Sequence, residues 1–198
     1  MKLYVDCDDV VAETAHHLMD LRRRDGGWVP EFEEMYDFDL HKSLRLGAAE
    51  YVDFMERAHA PEELRALKPV PGACETLRAW LDDGLEPVIV TGRPAFSYAA
   101  TREWLDVRGL TDLPLILVDK YNRSLGQGTP GVTVVPFVGL SGMGFDLAID
   151  DAPPALDLLA ASRLCPFVVF DRPWNRMYAP GASRVRTWKE LDAFVRAF

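Results

Sequence analysis

Leu3-Tyr4-Val5-Asp6-Cys7-Asp8-Asp9-Val10 decides how the rest of the chain is read. An apolar run ending in alternate carboxylates has the profile of a short buried strand whose carboxyl end carries polar groups. In an open α/β sheet, ligands bind outside the carboxyl ends of the strands. A carboxylate nucleophile with a second acid two residues on is what phosphoryl transfer through an acyl phosphate needs. Acidic turns after strands are also ordinary loop chemistry, so the pattern needs support from elsewhere in the chain.

That support is repetition. Pro87-Val88-Ile89-Val90 runs into Thr91-Gly92-Arg93-Pro94, Leu115-Ile116-Leu117-Val118 into Asp119-Lys120, and the run from Phe145 to Ile149 into Asp150-Asp151. Apolar runs without alternation mark parallel strands covered on both faces, and the helical stretches between them give the βαβ signature. Right-handed crossovers then place all four strand ends along one edge of one sheet. A hydroxyl, a lysine and two further acids converge on Asp6 and Asp8.

The rest of the chain is organised around those strands. Residues 10–24, 73–82, 96–107 and 152–162 read as helices and 165–170 as a last strand. A capping box from Thr187 to Glu190 opens a final helix carrying Leu191, Phe194, Val195 and Phe198 at helical spacing. Residues 28–66 hold no convincing strand, only short helical pieces at 48–57 and 61–67. Residues 11–68 are therefore read as a small helical cap inserted into a core of residues 1–10 and 69–198. The Gly-rich stretch 124–144, whose apolar run 132–138 is broken by Pro136, is read as a β-hairpin or ordered loop.

Composition narrows the function. With 198 residues, 48% of them hydrophobic, the chain can bury a sizeable core without staples. A formal net charge of -9 argues against long nucleic acid as a partner. The scattered cysteines Cys7, Cys74 and Cys165 read as reduced thiols. No apolar stretch approaches the ~20 residues of a membrane span, and the first strand begins too early for a signal peptide. The expectation is a cytoplasmic protein without a membrane partner.

Asp6-Cys7-Asp8-Asp9-Val10, Thr91, Lys120 and Asp150-Asp151 resemble, in order, the four motifs of the haloacid dehalogenase-like phosphohydrolases. Within that superfamily the chain looks most similar to the cytosolic 5′(3′)-deoxyribonucleotidases and their bacterial relatives. The likeness rests on Tyr36-Asp37-Phe38-Asp39-Leu40, Leu67-Lys68-Pro69-Val70-Pro71-Gly72-Ala73, Thr91-Gly92-Arg93-Pro94 and Phe170-Asp171-Arg172-Pro173-Trp174-Asn175-Arg176, and covers almost the entire chain. It implies a Rossmann-like α/β fold: a parallel sheet with helices on both faces and a helical cap after the first strand. It also implies a magnesium-dependent phosphomonoester hydrolase acting through an aspartyl-phosphate on a small phosphorylated substrate, a nucleoside monophosphate.

The resemblance also distributes roles. Asp6 would be the nucleophile, and Asp8 would protonate the leaving oxygen and then take a proton from water, which asks for a raised pKa. The Thr91 hydroxyl and Gly92 amide would hold phosphoryl oxygens, with Lys120 and Arg93 as local cations. Mg2+ would be held by Asp6, the Asp8 main-chain carbonyl and Asp151, with Asp150 orienting a ligand from behind. Tyr36 and Phe38 are candidates for a substrate wall. The chain departs from the nucleotidases at Gly92, where they usually have serine. It departs again at Thr101-Arg102-Glu103-Trp104, where they carry the motif lysine, and at Thr14, where they place an aromatic ring. His16, His17, His41 and His59 read as structural or solvent-facing, and Asp171, Arg172 and Asn175 as a loop lock or a substrate contact. A phosphatase for a sugar or other metabolite phosphate, and a binding module without turnover, remain alternative readings.

Overall fold

The chain starts in the middle of its sheet and winds outward twice. In the computed structural model, which describes residues 1–121, 129–178 and 182–198, the strands are β1 (Lys2–Asp6), β2 (Glu86–Thr91), β3 (Leu115–Asp119), β4 (Val134–Pro136), β5 (Leu147–Asp150), β6 (Phe167–Phe170) and β7 (Arg184–Val185). They form one sheet in the order β4-β3-β2-β1-β5-β6-β7, with every pairing parallel. From β1 the chain steps through β2 and β3 to β4, then returns to β5 on the other side of β1. Such a reversal leaves a crevice at the carboxyl ends of the strands beside it. The register sets Asp6 opposite Val90 and Val5 opposite Ile149, so Asp6, Thr91 and Asp150 end their strands at nearly one level.

Alternation along β1 splits the core. Leu3, Val5 and Cys7 face a layer built from α5 (Ala73–Asp82), α6 (Tyr98–Asp106) and α8 (Trp188–Ala197), where Leu77, Trp80, Trp104, Trp188 and Leu191 are fully or almost fully buried. Tyr4 faces the opposite layer with Val88, Val90, Ala148, Leu156 and Leu159, the last two from α7 (Pro153–Ser162). A third apolar cluster lies above the carboxyl edge. It joins α1 (Thr14–Arg24), α2 (Leu40–Ser43) and α3 (Ala48–Ala58) through Leu18 and Met19, Leu44 just past the end of α2, and Phe54, and takes Trp174 from the segment after β6. The short α4 (Pro61–Ala66) sends Leu64 into the first layer instead.

Buried indoles fasten the two ends of the helical insertion to the core. Trp188 Nε1 donates to the Val10 carbonyl at 2.8 Å, and Trp104 Nε1 to the Leu67 carbonyl at 2.8 Å. The ends are also joined to one another: Glu13 N–H donates to Lys68 O and Val70 N–H to Val11 O, both at 2.8 Å. A buried Trp whose N–H is satisfied contributes its apolar area without a polar penalty, so two tryptophans set the entry and exit of this layer.

The structure corrects several sequence expectations. The first helix begins at Thr14 rather than at 10, because residues 7–12 form a tight loop in which Val11 and Ala12 both donate to Cys7 O and Asp9 adopts a φ of 58. The stretch read as a hairpin or loop contributes β4, a parallel neighbour of β3, followed by a 3₁₀ segment at Phe137–Gly142; residues 124–128 lie outside the described residues. The helix expected over 96–107 opens with a 3₁₀ turn at Ala95–Ser97. Two-residue β7 is too short to leave a pattern. Among the described residues no helix is long and apolar enough to cross a membrane.

Candidate active site

Burial without enough compensating charge defines the carboxyl edge of the sheet. Asp6, Asp150 and Asp151 are all buried, and each offers a carboxylate oxygen within 4.8 Å of the others'. Lys120, from the turn after β3, reaches into this cluster and donates to Asp6 Oδ1 at 2.5 Å and to Asp150 Oδ2 at 2.9 Å. Burial alone would depress the ammonium, but the charges of Asp150 and Asp6 overcome it and hold Lys120 protonated. One cation among these acids is too little. Burial and the charges of Asp150 and Asp8 push Asp6 up to about 8 despite Lys120, and burial with Asp6, Asp9 and Asp150 raises Asp151 well above the carboxylate range.

The donors around the cluster show which oxygens are committed. Asp150 accepts from the Tyr4 hydroxyl at 2.9 Å, from Lys120, and from the Ala152 amide at 3.0 Å. Asp151 Oδ2 accepts from Trp174 Nε1 at 2.9 Å. Asp6 and Asp151 each keep an oxygen with no hydrogen bond among the described residues. A buried set of hard oxygen donors carrying excess negative charge fits a divalent cation such as Mg2+.

Asp8 is placed as expected but its environment is not. It accepts from Arg93 Nη2 at 2.6 Å, Arg93 Nε at 3.0 Å, Thr14 Oγ1 at 2.6 Å and Thr91 Oγ1 at 3.3 Å. Burial raises an acid, yet the charge and hydrogen bonds of Arg93, with the Thr14 bond, outweigh it and lower Asp8 to about 2. The expected raised pKa at Asp8 is thus overturned by a guanidinium. The same contact corrects the expectation for Arg93: its remaining arm donates to Thr101 Oγ1 at 3.0 Å, so the guanidinium is spent on the protein rather than open to a phosphate.

A cavity of about 360 Å³ opens from Asp8, Gly92 and Arg93 toward the helical layer, walled by Phe38, Tyr121 and Trp174 on one side and by Leu18, Leu64 and Leu67 elsewhere. Phe38 lies 6.0 Å from the Tyr121 ring and 6.5 Å from Trp174, centroid to centroid. Tyr36 does not join them: it is 73% exposed and outside the lining, so its expected place in a substrate wall is wrong. Gly92 has a steric cause. A Cβ there would stand 2.6 Å from Cε2 of Tyr121, so the ring occupies the space a serine would need.

Several wall residues escaped the sequence reading. Tyr121 follows Lys120 directly and could have been flagged as its neighbour, whereas Trp174 looked like one more core aromatic. His17 and His59 line the cavity although both were read as structural; His17 Nε2 lies 2.6 Å from Glu63 Oε2, and His59 Nδ1 2.7 Å from the Met55 carbonyl. His16 is stacked on Phe32 at 4.0 Å and His41 packs against Tyr51, both outside the lining. The competition at Asp171, Arg172 and Asn175 resolves toward a loop lock. Asn175 is buried and donates to Asp151 O and Phe170 O, Arg172 Nε donates to Asp9 O, and Asp171 pairs with Arg184.

No family model matches the chain. A protein of Halalkalibacterium halodurans, provisionally named a nucleotidase, is 24% identical over 164 residues, 82% of this chain and 76% of its own length. Among solved structures, a predicted phosphatase from Clostridium acetobutylicum superposes with a TM-score of 0.64 at 12% identity, covering 100% of this chain and 98% of its own. A HAD family hydrolase from Deinococcus radiodurans, with bound phosphate and sodium, has a TM-score of 0.57 at 21% identity and covers 99% and 93%. A chain from Lactobacillus delbrueckii, provisionally identified as a phosphoglycolate phosphatase, has a TM-score of 0.66 at 13% identity and covers 98% and 97%.

Proposed function

We propose that this chain, whose fold is that of the haloacid dehalogenase-like phosphohydrolases, hydrolyses small phosphomonoesters with Asp6 as nucleophile. One observation carries the reading: a buried carboxylate triad, paired with a buried lysine, sits beside a cavity that could hold the alcohol half of an ester. Mg2+, held by Asp6, the Asp8 carbonyl and Asp151, would supply the positive charge that lets a carboxylate approach a phosphate dianion. Lys120 orients Asp6 and works against the burial that raises its pKa, and it faces the charge that develops on the transferred group. Thr91 and the Gly92 amide hold phosphoryl oxygens. Asp150, saturated by Tyr4, Lys120 and Ala152, holds Lys120 and stays out of the reaction.

Asp8, ionised in its contact with Arg93, is ready to take a proton from the water that opens the acyl phosphate. Donating one to the leaving oxygen first requires that contact to loosen. Residues 11–68 act as the cap that keeps bulk water from the acyl phosphate. Within this class a nucleoside monophosphate is the preferred substrate, supported by the ring-lined cavity and the Halalkalibacterium relative. Phosphate release from deoxynucleoside monophosphates, ribonucleotides and sugar phosphates, with and without chelator, tests the reading. Metal-dependent release lost in Asp6→Asn supports it, and undiminished release in that variant refutes it.

A further inference from the structure

The cavity's walls are largely apolar, and apart from Arg93, which is paired with Asp8, the charged side chains lining it among the described residues are acids. Besides Asp8, the acids facing it are Asp9, Asp37 and Asp39. Asp37 and Asp39, with side chains 45% and 47% exposed, stand where the cavity meets solvent. They are fixed there by local bonds: Asp37 Oδ1 accepts the Asp39 amide at 2.9 Å, and Asp39 Oδ1 caps α2 through the His41 amide at 3.0 Å. Lys42 rests on Asp37 at 3.0 Å from outside the lining and offsets one of the two charges. Among the described residues Arg93 is the one Lys or Arg in the lining, and its guanidinium is taken by Asp8 and Thr101. His17 turns its Nε2 to Glu63, which also pairs with Arg24.

A phosphoryl group bound beside Asp6 and Lys120 would project its alcohol into this space. An uncharged ring there meets Phe38, Tyr121 and Trp174 and loses water at no electrostatic cost. A carboxylate or second phosphate on the same ring meets acids, gives up its hydration and, among the described residues, finds no Lys or Arg free to pair with it. We propose that the cavity is a charge filter: it accepts esters whose alcohol half is uncharged and ring-bearing, and rejects those carrying a further anionic group, with Asp37 and Asp39 as the specificity-determining residues. This rests on the phosphomonoesterase reading and adds to it a boundary between acceptable and unacceptable esters.

Matched pairs differing by one carboxylate test it: phenyl phosphate against 4-carboxyphenyl phosphate, and uridine monophosphate against orotidine monophosphate. The neutral member of each pair is expected to have a kcat/KM higher by roughly a hundredfold, and neutralising the mouth in D37N/D39N should narrow that ratio by about tenfold. Asparagine keeps the acceptor oxygens that the Asp39 and His41 amides use, and a ratio is insensitive to a general loss of activity. Calorimetric binding of uridine against orotidine gives a readout that needs no turnover, with uridine expected to bind more tightly. Equal kcat/KM within a pair, a ratio unmoved in D37N/D39N, or orotidine binding as well as uridine overturns the filter. If no ester is hydrolysed while uridine binds in preference to orotidine, the filter stands and the hydrolase reading fails.

Discussion

Removing the Lys120 ammonium should cost the protein stability in a pH-dependent way. Lys120 and Asp150 have no exposed side-chain surface and Asp6 has 5%, with the ammonium 2.5 Å from one acid and 2.9 Å from the other. Lys120→Met keeps much of the stem's volume and deletes the charge. Breaking a buried pair by removing one partner costs ~3–5 kcal/mol, and here two carboxylates lose their partner at once. The molecule can offset part of that loss by taking up protons. Asp6 already sits at about 8 with the lysine present, with burial as the leading cause, and goes higher without it. An acid whose folded pKa is raised binds a proton that the unfolded chain releases. Metal-free protein therefore loses stability as pH rises from the unfolded value near ~4 through the folded one. In Lys120→Met that decline should steepen and extend to higher pH, leaving a small deficit near about pH 5 and ~3–5 kcal/mol near about pH 9. Urea unfolding of both proteins at the two pH values, without metal, measures it. Catalytic efficiency should fall by ~10²–10³. Equal unfolding midpoints at both pH values would refute the pairing, and a loss of the same size at both would refute the proton compensation.

Three further outcomes follow from particular contacts. Gly92→Ser drives a Cβ to 2.6 Å from the Tyr121 ring and should destabilise the protein by ~1–3 kcal/mol; Tyr121→Ala in the same chain should recover most of this, and strict additivity in the double-mutant cycle would contradict the steric account. Phe38→Ala should raise KM for a nucleoside monophosphate several-fold while Tyr36→Ala, removing a ring 73% exposed, leaves KM unchanged; equal effects would show that these rings share one role. Mg2+ at about a hundred times its dissociation constant should stabilise the protein by ~2.7 kcal/mol, and Asp151→Asn should abolish most of that gain in a thermal melt; full stabilisation in the variant would place the ion elsewhere.

What could be read from the residues, and what could not, follows from how local each signal is. The buried runs ending in Asp6, Thr91, Lys120 and Asp150 were legible because a parallel strand announces itself by uninterrupted apolar residues, and its topology carries its carboxyl end to a shared edge. β4 was missed because Pro136 breaks its run and three edge residues carry little periodicity. The pairing of Asp8 with Arg93 was invisible because the two are 85 residues apart in the chain and a motif reading assigns each a role toward substrate. Tyr36 and Phe38 looked equivalent because helix-poor segments such as residues 31–39 have no period from which to tell an inward ring from an outward one. Gly92 illustrates the opposite case: the departure from serine was legible at once, but its cause, the ring of Tyr121, needed coordinates.

In the proposed mechanism Asp6 attacks phosphorus and becomes covalently phosphorylated. Rapid acid quench of the metal-loaded protein with a nucleoside monophosphate, followed by peptide mass analysis, tests this most directly. A transient gain of one phosphoryl group is expected on the peptide containing Asp6, formed before phosphate appears in solution and absent in Asp6→Asn. Phosphate release without any labelled intermediate and undiminished in Asp6→Asn would contradict it.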